Sequence, residues 1–238
     1  GVIKTVAVSY DPMGNCQSYD EMYMGGVSVL HKVYSYDDVN EMISDGGISQ
    51  TYDDNGNLTG RGSETLGWDA RNRLVSDYES GKDDWTATYD YNNRIANRQV
   101  GVSITTMVYD DFGRLLAEID EATGKPRNLY SYDAVGLWAQ TSSPATGNLR
   151  TVYPLFDGLG STLGTVDGAG NDVDRFSYGA YGEEDGNFSS SGLPFRYTGR
   201  WGGYTDPRAG VLNWNRWYLQ EAGRWGSRDP IGIWGGVN

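Results

Sequence analysis

Residues 89–115, YDYNNRIANRQVGVSITTMVYDDFGRL, contain two copies of the pattern that decides the fold of this chain. In each copy an aromatic residue is followed directly by Asp, and Gly or Asn stands four positions after the aromatic. The pattern occurs nine times at spacings of 16 to 26 residues, the last time in a degraded form without the Asp. The copies begin at Tyr10, Tyr36, Tyr52, Trp68, Tyr89, Tyr109, Tyr132, Phe156 and Tyr178. Periodicity of this length indicates an array of one supersecondary unit stacked on itself.

Each copy predicts a strand, a tight turn and a second strand. The aromatic fits a pleated surface, and the Asp carboxylate accepts hydrogen bonds from backbone N–H groups further along the turn. Gly and Asn best tolerate the left-handed backbone that a three-residue hairpin loop with a bulge requires. Two positions later an apolar residue follows in most copies: Met42, Leu58, Leu74, Ile95, Leu115 and Trp138. The turn residues that we expect to be structural are Tyr52, Asp53, Gly56, Trp68, Asp69, Asn72, Tyr89, Asp90, Asn93, Tyr109, Asp110, Gly113, Tyr132, Asp133 and Gly136.

The number of turns predicts an all-β fold. Nine turns imply roughly eighteen short strands, the apolar spacing typical of helices is almost absent, and 34 glycines suit many tight turns. Residues 1–150 hold the seven clearest repeats, whereas residues 151–238 are rich in Trp, Arg and Gly. We expect the second segment to continue the sheet of the first.

Composition narrows the function. A net charge of −13 disfavours nucleic acid and anionic membranes as partners, and no apolar run predicts membrane insertion. The single cysteine, Cys16, excludes an internal disulfide, and the single histidine, His31, argues against a Ser-His-Asp triad or a histidine-rich metal centre. We expect His31 to be a strand residue and Cys16 an inert small residue. Only four of the 19 basic residues are Lys, and we expect many Arg to pack between Tyr and Asp. We expect no cofactor and no metal.

The order of the motifs resembles the Rhs/YD-repeat family. The last 85 residues or so resemble the Rhs-associated core that closes such arrays, and the resemblance covers nearly the whole chain. The matching elements are FDGLGS at 156–161, FRYTG at 195–199, Asp206-Pro207, Asn213 with RWY at 216–218, GRW at 223–225 and SRDPIGI at 227–233.

The resemblance implies an irregular YD-repeat hairpin array whose sheet spirals into a hollow shell or barrel segment. In polymorphic toxins and the C component of insecticidal toxin complexes, such a shell encloses a C-terminal toxin that the core severs as an aspartyl self-protease. Animal teneurins use a similar shell as an extracellular adhesion module. We therefore expect a secreted or cell-surface scaffold. Its expected partners are an enclosed toxin domain and further YD repeats or copies of itself, added at open strand edges into a larger shell or filament.

The resemblance also implies a catalytic role for Asp229, oriented or tuned by Arg228. In the family an Arg-Asp-Pro element supplies one carboxylate and a downstream Asp-Pro-x-Gly element the other, and two carboxylates sharing a proton can act as acid and base on a peptide bond. The sequence given ends at Asn238 before a second such element, and Asp206-Pro207 matches a different core element. We therefore expect this fragment to be structural, with Asp229-Pro230 as a turn. A self-cleaving protease is the alternative for the parent protein.

Weaker patterns have a simpler explanation as turns. Asp53–Asn57 resembles a calcium loop with a misplaced Gly, and Gly168–Asp172 resembles one calcium-binding nonapeptide, for which a hairpin turn is the better interpretation. Paired carboxylates at 83–84, 110–111 and 183–185 could serve a glycosidase, but solvated turns explain them. A sugar-binding surface is a third alternative. Its sugar-stacking residues would be the exposed members of one aromatic set, although we expect most of that set to pack in the core: Trp201, Tyr204, Trp214, Trp217 and Trp225.

Overall fold

A computed structural model describes residues 4–23, 27–143, 148–185 and 189–229. The fold is all-β, as the repeats predict: these ranges contain twenty-one strands and one short 3-10 helix, Gly199–Trp201. None of this described part is a helix with the length and apolar character needed to cross a membrane. The chain divides into two compact units, Gly1–Leu66 and Gly67–Asn238.

Seventeen strands form one antiparallel sheet in which sequence neighbours pair. They are β1 Lys4–Tyr10, β2 Cys16–Tyr23, β3 Val27–Tyr36, β4 Met42–Asp45, β5 Ile48–Tyr52, β6 Leu58–Arg61, β7 Glu64–Trp68, β8 Leu74–Glu79, β9 Trp85–Tyr89, β10 Ile95–Val100, β11 Ser103–Tyr109, β12 Leu115–Asp120, β13 Lys125–Tyr132, β14 Leu137–Ser142, β15 Arg150–Phe156, β16 Thr162–Asp167 and β17 Asp172–Arg175. A second, four-stranded sheet contains β18 Tyr204–Asp206, β19 Gly210–Asn213, β20 Arg216–Leu219 and β21 Arg224–Trp225.

In the first unit, the repeat turns join neighbouring strands with a one-residue irregularity at the aromatic. Tyr36 faces Met42 and Tyr52 faces Leu58, and the register shifts just before each of these pairs. A bulge of this kind strengthens the local twist. The apolar partners Met42 and Leu58 are each 1% exposed, so the turn geometry directs one apolar side chain per hairpin into the core.

In the second unit, the core lies between one face of the long sheet and residues 189–229, which we call the C-terminal segment. The rings of Trp85 and Trp217 meet edge to face at 5.5 Å, and those of Tyr130 and Phe195 at 4.9 Å. All four side chains are buried. Large aromatic pairs of this geometry stabilise a core beyond the apolar area that they bury, so the C-terminal segment is part of the core of this unit.

The turn after Tyr132 corrects one assignment made from the sequence. The N–H of Asp133 bonds to the carbonyl of Gly136 at 3.0 Å, one position earlier than in the turn of Asp110, where the acceptor is Arg114. Leu137 therefore faces Tyr132 in register and is 4% exposed, whereas Trp138 is 54% exposed. Placing Trp138 at the apolar position was wrong, because a one-residue change of register turns each side chain to the opposite face.

Candidate functional site

Eight of the nine repeat turns have an Asp, and this Asp organises the turn. The Oδ1 atom of Asp110 accepts hydrogen bonds from the N–H groups of Phe112 and Arg114, both at 2.9 Å, and its backbone carbonyl accepts one from Gly113 at 3.0 Å. The carboxylates of Asp53, Asp69, Asp90 and Asp133 accept the same bond from the N–H two positions on. The aromatics that end the preceding strands are Tyr52, Trp68, Tyr89, Tyr109 and Tyr132. The Gly or Asn four positions after the aromatic has φ between 57° and 140° in all nine copies: Gly14, Asn40, Gly56, Asn72, Asn93, Gly113, Gly136, Gly160 and Gly182.

An Arg after the turn ties three of these copies to the next one. The guanidinium of Arg73 bonds to Asp69 through Nε at 2.7 Å and lies 4.6 Å from the ring centre of Tyr89. Arg94 and Arg114 repeat this arrangement, with ring distances of 4.9 and 5.1 Å to the following Tyr. The expected packing of Arg between Asp and Tyr is confirmed at these three positions. Such Arg side chains are committed to the scaffold rather than to a ligand.

These contacts shift the acidity of the turn carboxylates. Partial burial opposes ionisation of Asp69, Asp90 and Asp110. Hydrogen bonds from the following Arg and from the backbone, together with the Arg charge, outweigh that effect and hold the pKa of each carboxyl below its usual value. The turns therefore favour the ionised Asp.

In five copies the hydroxyl of the repeat Tyr links the copy to the one before it. Tyr89 donates to the carbonyl of Leu74 at 2.6 Å, and Tyr132 donates to that of Leu115 at 2.9 Å. In each case the acceptor stands six positions after the aromatic of the preceding copy. The same bond joins Tyr36 to Cys16, Tyr52 to Met42 and Tyr178 to Thr162. Burial raises the pKa of Tyr89 to about 12, so this hydroxyl remains a donor at neutral pH.

A second periodic set was missed by the sequence analysis. In six hairpins a buried or half-buried polar side chain stands three positions after the apolar residue, and in a seventh it stands three positions after Thr162. In the second unit this set, which we call the polar ladder, consists of Asp77, Arg98, Glu118, Gln140 and Thr165. In the first unit the same position holds Asp45 and Arg61, whose charged groups are 2.9 Å apart. The signal was present in the sequence as an alternation of acidic and basic residues, visible only when the copies are aligned on their apolar residues.

Strand β18 and the residues after it meet the first three members of the polar ladder with alternate side chains. Arg208 donates to Asp77 at 2.9 Å, Asp206 accepts from Arg98, and Tyr204 donates to Glu118 at 2.6 Å. The later residues of the segment therefore contact the earlier hairpins of the chain, and its earlier residues contact the later hairpins. Because side chains two positions apart lie on one face of a strand, three residues of one extended stretch can bond to three successive hairpins.

The remaining two members meet earlier residues of the C-terminal segment. The Nε2 of Gln140 donates to the carbonyl of Ser191 at 3.1 Å. Thr165 donates to Asp174 at 2.5 Å, and the other oxygen of Asp174 accepts the N–H of Ser191 at 3.0 Å. Every member of the polar ladder therefore reaches the C-terminal segment directly or through one carboxylate.

Asp206 is a structural carboxylate. Its Oδ2 accepts from Trp85 at 3.0 Å and from Arg98, and its Oδ1 accepts the N–H of Arg208 at 2.8 Å. Its side chain is fully buried. These bonds join Asp206 to β9, to β10 and to the turn that follows β18.

Asp229 lies in a more accessible place. Its Oδ2 is 2.9 Å from a guanidinium nitrogen of Arg216, and 28% of its side chain is exposed. Arg216 in turn lies 4.1 Å from the ring centre of Trp225. Arg228, which the sequence singled out, is exposed, and the structure adds Arg216 as a cation at this carboxylate. The predicted Asp229-Pro230 turn lies outside the described residues.

The weaker sequence patterns take structural roles. The predicted hairpin turn at Gly168–Asp172 is confirmed, since Asp167 accepts the N–H of Ala169 at 2.9 Å in the geometry of the repeat turns. His31 lies on β3 and pairs with Asp20. In the four described ranges, no group of three or more His, Cys, Asp or Glu could hold a metal ion. Trp217 and Tyr204 are buried, whereas Trp201, Trp214 and Trp225 are 57%, 80% and 37% exposed.

A family model described as Teneurin YD-shell matches residues 4–235. The tRNA3(Ser)-specific nuclease WapA of Bacillus spizizenii and the tRNA nuclease WapA of Bacillus subtilis are each 28% identical over 201 residues. Each match covers 82% of this chain and 8% of the relative, so the chain spans only a small part of the length of these proteins.

Solved structures with the same fold come from Tc toxins. A Photorhabdus luminescens Tc holotoxin pore with a mutant TccC3 aligns with a TM-score of 0.58 and 16% identity. A crystal structure of TcdB2-TccC3-Cdc42 aligns with a TM-score of 0.57 and 17% identity. Both cover 99% of this chain and 16% of the other. At such identities the likeness concerns the fold alone.

Proposed function

The chain belongs to the Teneurin YD-shell family and is a structural shell segment, and we propose that in its parent protein the shell encloses a toxin domain. The observation that carries this proposal is the C-terminal segment, which lies across one face of the sheet and bonds to the polar ladder hairpin by hairpin. Relatives named as tRNA nucleases and structural neighbours named as Tc toxins support a toxin as the enclosed partner.

The shell segment needs no chemistry of its own for this role. Its polar groups are used to join hairpins, and in the pairs Arg98–Asp206 and Arg208–Asp77 one partner comes from the C-terminal segment. Removing one partner of a buried pair is strongly destabilising, so the pairs favour a single placement of this segment. We propose that the parent protein is secreted or displayed at the cell surface and that further repeats or further copies add at its strand edges. We also propose that the chain changes near residue 150 from a YD-repeat segment to a core-like segment of the same sheet.

The enclosing role is tested with protein made from the complete reading frame. A protease that digests the separately expressed region downstream of Asn238 is added to the whole protein. We expect the downstream region to survive in the whole protein and to become accessible in an Arg208→Met variant, whose segment is less firmly held. Arg175→Met, which removes an exposed ion pair with Asp172, is the matched control. Equal digestion of the free and the attached region would show that nothing is enclosed.

The accessible Asp229 favours a second function, self-cleavage downstream of this chain. We propose that Asp229 supplies one carboxylate of an aspartyl pair and that Arg216 and Arg228 orient it, in support of which Arg216 lies 2.9 Å away. The intact mass and C-terminal peptide map of the full-length product decide this. Cleavage beyond Asn238 that disappears in Asp229→Asn and persists in Asp172→Asn would support it. An uncut product, or cutting that survives Asp229→Asn, would exclude Asp229 as a catalytic residue.

A further inference from the structure

A cleft of about 600 Å³ lies in the second unit between three successive repeat turns and the C-terminal segment. Its inner wall includes Ile95, Met107, Leu115 and Phe195, all of them buried apolar side chains. Both the volume and the apolar lining fall in the range of small-molecule sites, in which a few polar groups at the edge set the orientation of the ligand. One of its lining residues, Tyr204, also donates a hydrogen bond to Glu118 of the polar ladder.

Three large aromatic side chains line the cleft while exposed to solvent. Phe112, Trp201 and Trp214 are 80%, 57% and 80% exposed. Trp201 is fixed in place, since its Nε1 donates to the carbonyl of Leu159 at 2.8 Å. Gly160 leaves room for that ring: a Cβ there would lie 2.3 Å from the Nε1 atom. The exposed indole of Trp201 is therefore held by dedicated contacts rather than left loose at the surface.

Trp214 occupies the cleft at a conformational cost. It has φ of 57° in the turn between β19 and β20, a left-handed backbone that is unfavourable for a bulky residue and natural for Asn or Gly. The ring gains little burial there. Strain of this kind at an exposed side chain suggests a function, and here the strained residue adds an aromatic face to the cleft.

The polar side of the cleft carries an available cation. The guanidinium of Arg200 lies 5.3 Å from the ring centre of Trp201, and its Nε donates to the carbonyl of Val135 at 3.4 Å. Within the part of the chain that the structure describes, Arg200 has no ion-pair partner. By contrast, Arg94 and Arg114 on the facing turns are paired with Asp90 and Asp110. Asp111 and Asn92, on the same turns, are the neighbouring polar side chains.

We propose that this cleft binds a small aromatic anion, with its ring against Trp201, Trp214 and Phe112 and its carboxylate or sulfonate on Arg200. Aromatic faces recognise a planar ring, and a guanidinium binds a planar or tetrahedral anion through paired N–H donors. In a chain of net charge −13, an unpaired Arg beside an apolar cleft selects for the anion that the remaining surface repels. This site stands independently of the proposed enclosure of a toxin.

The probe is 1-anilinonaphthalene-8-sulfonate, an aromatic sulfonate whose fluorescence rises when it leaves water. Titration of the intact chain should saturate at one dye per chain. Arg200→Gln should weaken binding by about tenfold, the scale of one lost charge-assisted hydrogen bond. Trp214→Asn should weaken it similarly while relieving the backbone strain, because Asn accepts the left-handed conformation. The neutral analogue N-phenyl-1-naphthylamine should bind more weakly than the sulfonate and should be insensitive to Arg200→Gln.

Matched controls and a second variant keep the test decisive. Arg175→Gln removes an exposed Arg and Trp138→Ala an exposed Trp, both outside the cleft, and both should leave dye binding unchanged. Phe112→Ser provides another cleft variant if Trp214→Asn lowers the melting temperature. The proposal is overturned if dye binding does not saturate, if the cleft variants bind like the wild type, or if the controls lose as much affinity as the cleft variants. Equal affinity for the neutral analogue, with no effect of Arg200→Gln, would also overturn it.

Discussion

The repeat Asp and the Gly or Asn after it act together on one small loop. The carboxylate of Asp110 holds two N–H groups, and Gly113 has a φ of 84° that places its own N–H on the Asp carbonyl. Neither residue can replace the other, since one supplies acceptors and the other supplies a backbone conformation. These requirements are local, which is why the turns could be predicted from the sequence.

Gly113→Ala should therefore destabilise the protein by about 1 kcal/mol, because a Cβ disfavours the left-handed backbone. Asn93→Gly, at the equivalent position, keeps the backbone conformation but removes the hydrogen bonds that Oδ1 of Asn93 accepts from Arg71 and Arg73, so its loss of about 1 kcal/mol should come from the side chain. Gly168→Ala is the matched control: its backbone is not left-handed and no atom lies within 4 Å of the added Cβ, so it should be neutral or slightly stabilising. Urea unfolding measures all three, and equal losses at Gly113 and Gly168 would contradict the conformational explanation.

The ionised turn carboxylates also predict the response to acid. An unfolded Asp has a pKa of about 3.9, and the pKa values of folded Asp69, Asp90 and Asp110 are lower. As the pH falls, the unfolded chain therefore binds protons before the folded chain does. The stability that these three carboxylates contribute is present above the unfolded pKa and is lost as the pH falls through the folded pKa values. The contribution of Asp77 to stability changes with pH in the opposite direction, because burial raises its pKa.

Asp110→Asn should make the free energy of unfolding less dependent on pH below about 5, where the folded and unfolded carboxyls begin to differ in protonation. The Asn side chain still accepts hydrogen bonds in the turn but does not titrate. The pH dependence that remains in this variant should therefore come mainly from the turn carboxylates of the other copies. Urea unfolding at a series of pH values measures the slope. Asp172→Asn removes an exposed carboxylate outside the repeat turns and serves as the control. If both variants keep the wild-type slope, the Asp110 carboxylate is not linked to stability.

The hairpins and β18 meet through side chains that are far apart in sequence. Arg208 and Asp77 are 131 positions apart, and Tyr204 and Glu118 are 86 apart. A pattern search within one repeat finds the turn but not the partner of a polar ladder residue, because that partner depends on where the C-terminal segment lies. Trp138 shows a second limit of prediction from the repeat pattern, which concerns the register within one hairpin. The repeat spacing assigned it to the apolar position, and only the geometry of Gly136, with φ of 140°, gives that position to Leu137.

Arg208→Met should cost about 3 to 5 kcal/mol, because it leaves the carboxylate of Asp77 buried without its cation. Arg175→Met, at an ion pair whose side chains are 77% and 61% exposed, should cost less than about 1 kcal/mol. Guanidinium unfolding of both variants makes the comparison. The double variant Arg208→Met with Asp77→Leu should recover part of the loss, since it removes the stranded charge as well. A loss at Arg208 no larger than at Arg175 would mean that the polar ladder contributes little to holding the segment.

For the chain as a whole, two kinds of contact differ in sequence distance and should form at different times. The repeat turns close loops of a few residues, whereas for its direct contacts the C-terminal segment must find polar ladder residues 51 to 131 positions away. Closing a long loop loses more chain entropy before any contact forms, and folding slows as contacts become less local. Docking of the C-terminal segment on preformed hairpins is therefore the expected late step.

This order predicts how two variants divide their effects between folding and unfolding rates. Gly113→Ala weakens a turn that forms early, so it should mainly slow folding, whereas Arg208→Met weakens a contact that forms late, so it should mainly speed unfolding. Stopped-flow unfolding and refolding of the second unit's Trp fluorescence, with Arg175→Met as the unaffected control, separates the two. If Arg208→Met slowed refolding in proportion to its full loss of stability, the segment would already be docked in the transition state. The hairpins would then assemble around the segment, and the C-terminal segment would serve as the template of the sheet rather than its last addition.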